Sequence, residues 1–478
     1  MRIGSRRRLL CRLDYGNVNY YWLISFYLSV SRGFVKRASW SDLYLSRRRL
    51  RKRLNRLRKE AGKRRRTAKR DRARQTRPWP LARHLGEWLP ARSVRREELT
   101  ITIPSDFSVL RDPAGVVTAV KSVCRVAHSH HPPGIFFDHS NLAKFDLPAE
   151  AVLDVVTREV RNRLLRRGIR MRLGGRFPAD PAAQRFIRGI GISRHLDIPD
   201  AALPAGEEEK LHTFQQHKRT PTPKDAPAHT DEKSRATVAF VDFIDGCLKR
   251  VGRKLTIVGR QRLCDYTGEI IDNIEQHADT NFWYIAGYLD TSTLRPTCEI
   301  AIFNFGRTFA QTFTDLEEEA YPRAQVAPYV QKHRRSQWFG SGWDEEDLYT
   351  LAAMQGGISS KARSDADGRG QGTIDLIRFF QGMHAEYGGG EEPPEMVVWS
   401  GHTHLVFNGK YQLAQGDGGR WTIAFNDTNS LSEKPDSNCV KHLTDAYFPG
   451  ALIGIKFTIP PSQTTLVASS GTRHPNGN

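Results

Sequence analysis

Residues 99–200 alternate between two hydrophobic periods. Short, mostly apolar runs bounded by turn residues predict buried strands. The segment 149–166 instead carries apolar residues three and four positions apart, which predicts an amphipathic helix. Strands and helices that alternate in this way imply a small α/β unit. The predicted strands are Leu99–Pro104, Gly134–Asp138 and Ile169–Leu173, and the predicted helices are Gly115–Ala127 and Ala149–Arg166.

A second set of elements begins with a helix from Val238 and a longer helix at Leu263–Ala278. The apolar residues of the longer helix lie on one face. Glu269, Asn273 and His277 are each four residues apart, so they share another face. Helices combined with strands in this half make the chain α+β. The later elements are the strand Cys298–Phe303, the helix Ile374–Gln381, and the closing strands Met396–Phe407 and Phe448–Pro460.

The chain of 478 residues is too long for one ordinary hydrophobic core. Residues 201–234 are polar and rich in proline, which is typical of a linker. The predicted regions are therefore a tail (1–98), the small α/β unit (99–200), the linker (201–234), a larger domain (235–460) and a disordered tail (461–478).

The formal net charge of +21 belongs to the N-terminal tail. Residues 1–98 carry 30 Lys and Arg against 7 Asp and Glu, whereas the remainder carries 43 against 45. We expect the tail to be partly helical or disordered. It is either a solvated extension or a segment that binds nucleic acid non-specifically.

The spacing of the cysteines and the length of the hydrophobic runs indicate the cellular compartment. The six cysteines lie far apart, with no C-x-x-C pair, which fits a reduced cytoplasmic protein without a disulfide framework or a zinc site. The run Val18–Val30 is shorter than the roughly 20 apolar residues that a membrane span needs. We therefore expect a cytoplasmic protein with no membrane contact.

Glu269 and Asn273 together suit a bound triphosphate. An amide oxygen can ligate Mg²⁺, which prefers oxygen ligands. A carboxylate one turn away can orient or deprotonate a water molecule. The E-x-x-x-N spacing alone is weak evidence for a functional site, because it occurs on many surface helices. His402 and His404, by contrast, lie in the predicted strand Met396–Phe407, where a core or surface role is the default.

Alternating glycines at Gly368, Gly370 and Gly372 come just before the helix Ile374–Gln381. Glycines at the start of a helix let backbone N–H groups approach a phosphate, and the helix dipole favours the anion there. A dinucleotide-binding turn is excluded because no strand comes just before the glycines. A Walker-type NTPase is excluded because no G-x-x-x-x-G-K-[ST] motif is present.

These motifs, and their order along the chain, resemble those of the gyrase, heat-shock chaperone, histidine kinase and mismatch-repair (GHKL) ATPases. Glu269-Ile-Ile-Asp-Asn273 resembles the N-box, and Asn304-Phe-Gly306 lies where the first glycine box has Asp-x-Gly. Gly368–Gly372 lies at the second glycine box, which ends the ATP lid. The resemblance implies a Bergerat-type α/β sandwich over 235–460, with helices on one side of a mixed sheet.

The resemblance also implies the ligands and their contacts. ATP and Mg²⁺ are the expected cofactors, with Glu269 as the catalytic base and Asn273 as the Mg²⁺ ligand. Asn304 stands in the position of the family's adenine-binding Asp, where an amide oxygen accepts a weaker hydrogen bond than a carboxylate. The other expected nucleotide contacts are Gly306, Lys361, Gly368, Arg369, Gly370, Gly372 and Thr373, although Lys361 and Arg369 are equally consistent with plain surface residues.

The unit at 99–200 resembles a STAS-like domain, the fold of anti-anti-sigma factors. The resemblance rests on Asp138-His-Ser140 at a strand end and on Asp146-Leu-Pro-Ala-Glu150 at a helix start. Such regulators commonly have a phosphorylatable serine directly after the second Asp. Here Leu147 and Pro148 follow, which counts against a phospho-switch.

Three functional classes follow from these resemblances. An ATPase-type switch, in which lid closure controls a protein partner or a homodimer, is the first prediction. An anti-sigma-like serine kinase or a non-hydrolysing ATP-sensing module is the alternative. A histidine kinase is disfavoured, because the linker and the α/β unit leave no place for a phosphoacceptor hairpin before the ATP-binding domain.

Overall fold

The structure, a computed structural model, describes residues in several ranges; for residues 166, 217, 232 and 272–277 it describes the backbone alone. The basic tail predicted at 1–98 lies outside these ranges. The ranges are 99–128, 134–166, 168–192, 211–217, 232–250, 252–277, 283–292, 296–334, 343–360, 362, 372–386, 393–416, 419–459 and 464–466.

Three parallel strands form the sheet of the N-terminal α/β unit. β1 (Leu99–Thr102) pairs with β3 (Ile135–Asp138), which pairs with β5 (Leu173–Arg176). Parallel neighbours require crossover connections, and these contain α1 (Pro113–Cys124) and α2 (Leu147–Arg166). The predicted alternation of strands and helices is confirmed, although β5 begins where the predicted strand ended. Smaller elements complete the unit: β2 (Asp106–Phe107), β4 (Lys144–Phe145) and α3 (Pro181–Gly189).

The second half of the chain is built on a seven-stranded sheet. Its strands are β6 (Leu211–His217), β8 (Tyr284–Asp290), β9 (Thr297–Phe305), β10 (Glu395–Gly401), β11 (Thr403–Phe407), β14 (Val440–His442) and β15 (Phe448–Thr458). In space they follow the order β14-β11-β10-β15-β9-β8-β6. Every described pair is antiparallel, so the prediction of a mixed sheet is wrong.

Helices cover one face of this sheet. Cys298, Ile300 and Ile302 of β9 share a core with the helices of this half. No helix in the described ranges is both long and apolar enough to cross a bilayer. The helices are α4 (Glu232–Arg250), α5 (Ile257–His277), α6 (Phe309–Thr314), α7 (Tyr321–His333), α8 (Glu345–Ala352) and α9 (Gly372–Ala385).

The N-terminal unit covers the opposite face. Ala301, Phe303 and Phe305 of β9 point away from α5 and share a core with residues of α2. The described helices of 235–460 thus lie on one side of the sheet; the sequence did not predict that the N-terminal unit buries the other side, although β9 is apolar at successive positions. Both halves of the chain fall within one compact unit that spans residues 78–478.

Two segments predicted to be irregular contribute strands. The predicted linker 201–234 contains β6, which forms an edge of the large sheet, and its last residues begin α4. The predicted tail 461–478 contains β16 (Thr464–Leu466), which pairs with β7 (Arg253–Leu255). A further pair of short strands joins β12 (Ala414–Gln415) to β13 (Trp421–Thr422).

A buried carboxyl group, Glu299 of β9, joins the N-terminal unit to the sheet. Its Oε1 accepts a hydrogen bond from the backbone N–H of Leu147 at 3.0 Å, at the first turn of α2. The side chain is also hydrogen-bonded to Tyr288. Burial, reinforced by the nearby carboxyl group of Asp146, raises the pKa of Glu299 to about 8.

This carboxyl group should make stability depend on pH. The folded pKa of about 8 exceeds the reference value of 4.5, so the folded protein binds this proton more tightly than the unfolded chain. The stabilising contribution is fully present below pH 4.5 and is lost as the pH rises through about 8. Relative to wild type, Glu299→Gln should therefore gain on the order of 3 kcal/mol of unfolding free energy between about pH 5 and pH 9. Urea denaturation of both proteins measures this; a wild-type-to-variant difference that does not change with pH would contradict it.

Candidate functional site

Helices α5 and α9 pack against each other above the sheet, and Glu269 of α5 faces Gly372 at the start of α9. A Cβ atom at position 372 would overlap the Glu269 carboxylate. Glycine is therefore the residue that lets the carboxylate approach the backbone so closely. The structure thus brings together two of the residues that the motifs predicted to share a site.

The apolar faces of the two helices fix this arrangement. Ile270 and Ile271 of α5 are buried in the core above the sheet. Ile374 and Ile377 anchor α9 in the same core. Glu269 comes directly before the buried pair Ile270 and Ile271. Its side chain therefore lies at the edge of the apolar face, beside the start of α9, and is half-buried.

The first turn of α9 is an electrostatically favourable place for an anion. The helix runs for 14 residues from Gly372, and the N–H groups of its first turn have no partners within the helix. Thr373, the next residue, is 9% exposed. The Glu269 carboxylate lies beside this helix end, where the helix dipole favours negative charge.

The remaining residues of the predicted N-box and lid are covered only in part. Asn273 lies one turn beyond Glu269 on α5, where the structure describes the backbone alone. Lys361, Gly368, Arg369 and Gly370 lie outside the described residues.

Asn304 lies near the end of β9 and is completely buried. Its position in the strand matches that of Ile300 and Ile302, so its side chain points to the face on which α5 and α9 lie. The amide Oδ1 accepts a hydrogen bond from the backbone N–H of Ala451 at 3.0 Å. This bond ties β9 to β15. An adenine amino group would have to share the same oxygen, which can accept two hydrogen bonds.

Gly306 follows β9 and continues the link to β15. Its backbone N–H donates to the carbonyl of Pro449 at 3.0 Å. Gly450, with φ +149°, lets strands β9 and β15 approach closely, because a Cβ there would overlap the carbonyl of Asn304. The segment predicted as the first glycine box is thus held firmly by the start of β15.

Two acid–histidine pairs lie together near the far edge of the sheet, and the sequence did not predict them. His402 Nδ1 lies 3.4 Å from Glu346 Oε2, and His442 Nδ1 lies 3.1 Å from Asp347 Oδ2. The two imidazole rings stack with their centroids 5.3 Å apart. Burial raises the pKa of Glu346 to about 7 and also raises that of Asp347, whereas burial lowers the pKa of His402.

These pairs depend on a turn that the sequence pattern did not indicate. The predicted strand Met396–Phe407 is interrupted at His402, which lies between β10 and β11, and Gly401 makes the turn with φ +61°. His404 lies in β11 and has a structural role: its Nε2 is 2.8 Å from the carbonyl of Val109 in the N-terminal unit. Burial lowers the pKa of His404 to about 4, so it is neutral.

Metal ligation by protein side chains alone finds no support in the described part of the chain. There, no group of three or more His, Cys, Asp and Glu side chains could hold a metal ion. Magnesium bound beside a triphosphate requires only one or two protein ligands.

No protein-family model, curated protein or solved structure matches this chain.

Proposed function

We propose that this chain binds ATP with Mg²⁺ where α5 meets the start of α9, and that it acts as an ATPase-type switch. The proposal follows from the resemblance of its motifs to those of the GHKL ATPases. The observation that supports it best is the contact between Glu269 and Gly372, because two motifs far apart in the sequence meet at one point in space. Lid closure over the nucleotide would control a protein partner or a homodimer.

The main predicted residues have separate roles in this proposal. Asn273 would hold Mg²⁺, which would neutralise negative charge on the phosphates, and Glu269 would orient the attacking water. The glycines that end at Gly372 cradle the phosphates by their backbone N–H groups, with the dipole of α9 behind them. Asn304 would accept a hydrogen bond from the adenine while keeping its bond to Ala451.

An ATP-sensing module that does not hydrolyse its ligand is the second candidate. The shared core between the N-terminal unit and the sheet favours it. A change in β9 on nucleotide binding would reach α2 through the hydrogen bond between Glu299 and Leu147. In that case the output is a changed arrangement of the N-terminal unit, with no chemical step.

Replacing Asn273 by alanine tests the proposed Mg²⁺ site. The variant should lose at least about tenfold in ATP affinity, because it removes a ligand of the ion that links the phosphates to α5. Calorimetry on the full chain measures this. Gln261→Ala is the matched control, since Gln261 is an exposed amide on the same helix and bonds only to the nearby Asp265 within the described contacts. Equal affinities of the Asn273 variant and the wild type would refute the assignment.

A further inference from the structure

A cavity of about 350 Å³ opens between the first half of α5, the second half of α9 and the end of β15. Its walls are largely apolar, and its rim carries Arg262, Arg378 and Glu386. This volume lies at the lower end of the range of about 300–1,000 Å³ that is typical of small-molecule sites.

This cavity is separate from the proposed nucleotide site. Arg262 precedes Glu269 by seven residues on α5, which places them about 10 Å apart along the helix axis. On α9, Gly382 lines the cavity, and Gly372 lies ten residues earlier, about 15 Å away. The two sites are therefore neighbours along the same pair of helices: Tyr266 lines the cavity about one turn before Glu269, whereas Arg262 and Gly382 lie farther from the proposed nucleotide site.

The walls offer aromatic surfaces. The rings of Tyr266 and Phe379 are tilted by 32° to each other, with centroids 4.2 Å apart. Phe457 meets Phe379 edge to face at 5.5 Å, and Met383 supplies a flexible thioether. Aromatic rings and a thioether form favourable contacts with the face or edge of another aromatic ring.

Of the charged residues on the rim, Arg262 is the best placed to bind an anion. Arg378 is held on both sides, because it bonds to Asp375 at 3.1 Å and its guanidinium lies 4.1 Å from the ring centroid of Trp421. Arg262 is held loosely: its side chain is 52% exposed and lies 3.8 Å from Glu386. A carboxylate, or two of the three oxygens of a sulfonate, can offer the Arg262 fork the bidentate hydrogen bonds that this long contact lacks.

We propose that the cavity is a second ligand site, which binds a small aromatic anion with its ring between Tyr266 and Met383 and its acidic group on Arg262. Gly382 opens the entrance, since a Cβ built there meets no atom within 4 Å. A side chain at this position would occupy the space that the ring of the ligand needs.

Fluorescence titration with anilinonaphthalene sulfonate, an aromatic anion that brightens in apolar sites, tests this proposal on the full chain. The wild type should show saturable binding that Mg²⁺ and ATP do not displace. Gly382→Leu should weaken the binding at least about tenfold, and the matched control Gly382→Ala should stay within about threefold. Arg262→Met should weaken it about three- to tenfold and reduce its dependence on salt.

Three results would overturn the proposal: no saturable binding, displacement of the probe by ATP, or equal binding by the wild type and Gly382→Leu. Thermal unfolding of each variant shows whether it is folded. If Gly382→Leu does not fold, Arg262→Met decides the question, because an exposed side chain can be replaced without disturbing the core. Unchanged affinity and salt dependence in that variant would then be the contradictory result.

Discussion

Replacing Glu269 by glutamine should slow ATP turnover by roughly 10²–10⁴-fold while ATP remains bound. Glutamine keeps the size of the side chain beside Gly372 but cannot take a proton from the attacking water. The loss should therefore fall on the chemical step and leave nucleotide affinity nearly unchanged. Phosphate release measures turnover, and calorimetry measures binding.

Glu386→Gln is the matched control for this experiment, since Glu386 lies just after the end of the same helix that begins at Gly372. It should change turnover by less than about twofold. Unchanged turnover in the Glu269 variant would remove this residue from the chemical step. A wild-type protein that binds ATP without releasing phosphate would favour the sensing module instead.

A fragment of residues 235–460 should fail to fold on its own, because removing the N-terminal unit exposes one face of the large sheet. Phe303, Trp399 and Phe448 are at most 1% exposed and belong to the core shared with that unit. Each large side chain contributes about 1.5–3 kcal/mol by burial. The loss of several such side chains, together with the edge strand β6, approaches the whole net stability of roughly 5–15 kcal/mol.

Circular dichroism and thermal unfolding of two fragments test this expectation. The fragment 78–478 matches the compact unit and should unfold in one cooperative transition. The fragment 235–460 should aggregate or show no cooperative transition. Cooperative unfolding of both fragments at similar temperatures would mean that the two halves are independent domains after all.

The apolar pattern predicted the helices α2, α5 and α9 and the strands β9 and β15, because periodicity within one element reports how that element is buried. It did not predict the inner strand β8 or the helix α7. It could not identify which element covers which face. The run from Cys298 to Phe303 indicates a strand, but only the structure shows that α2 covers its second face. The edge strand β6 was missed because Leu211–His217 is mostly polar and lies among prolines and charged residues, a composition shared with linkers.

The candidate site could be predicted as a list of residues but not as a geometry. The order of the motifs pointed to Glu269 and Gly372, and the structure brings them into contact. No periodic signal links Glu346 to His402, which lies 56 residues later, so this pair could be found only in three dimensions. The hydrogen bond that Asn304 accepts from Ala451 likewise depends on strand pairing that sequence spacing does not determine.

Calorimetric titration of the full chain with ATP, with and without Mg²⁺, tests the central claim most directly. We expect saturable binding of one ATP per chain when Mg²⁺ is present, with little or no binding when the metal is chelated, because Asn273 would act on the phosphates through the ion. Gly372→Val should abolish this binding. Its branched side chain would collide with the Glu269 carboxylate and would disturb the start of α9, where we propose that the phosphates bind. Absence of ATP binding by the folded wild-type chain, or equal binding with and without Mg²⁺, would refute a magnesium-dependent ATP site on α5.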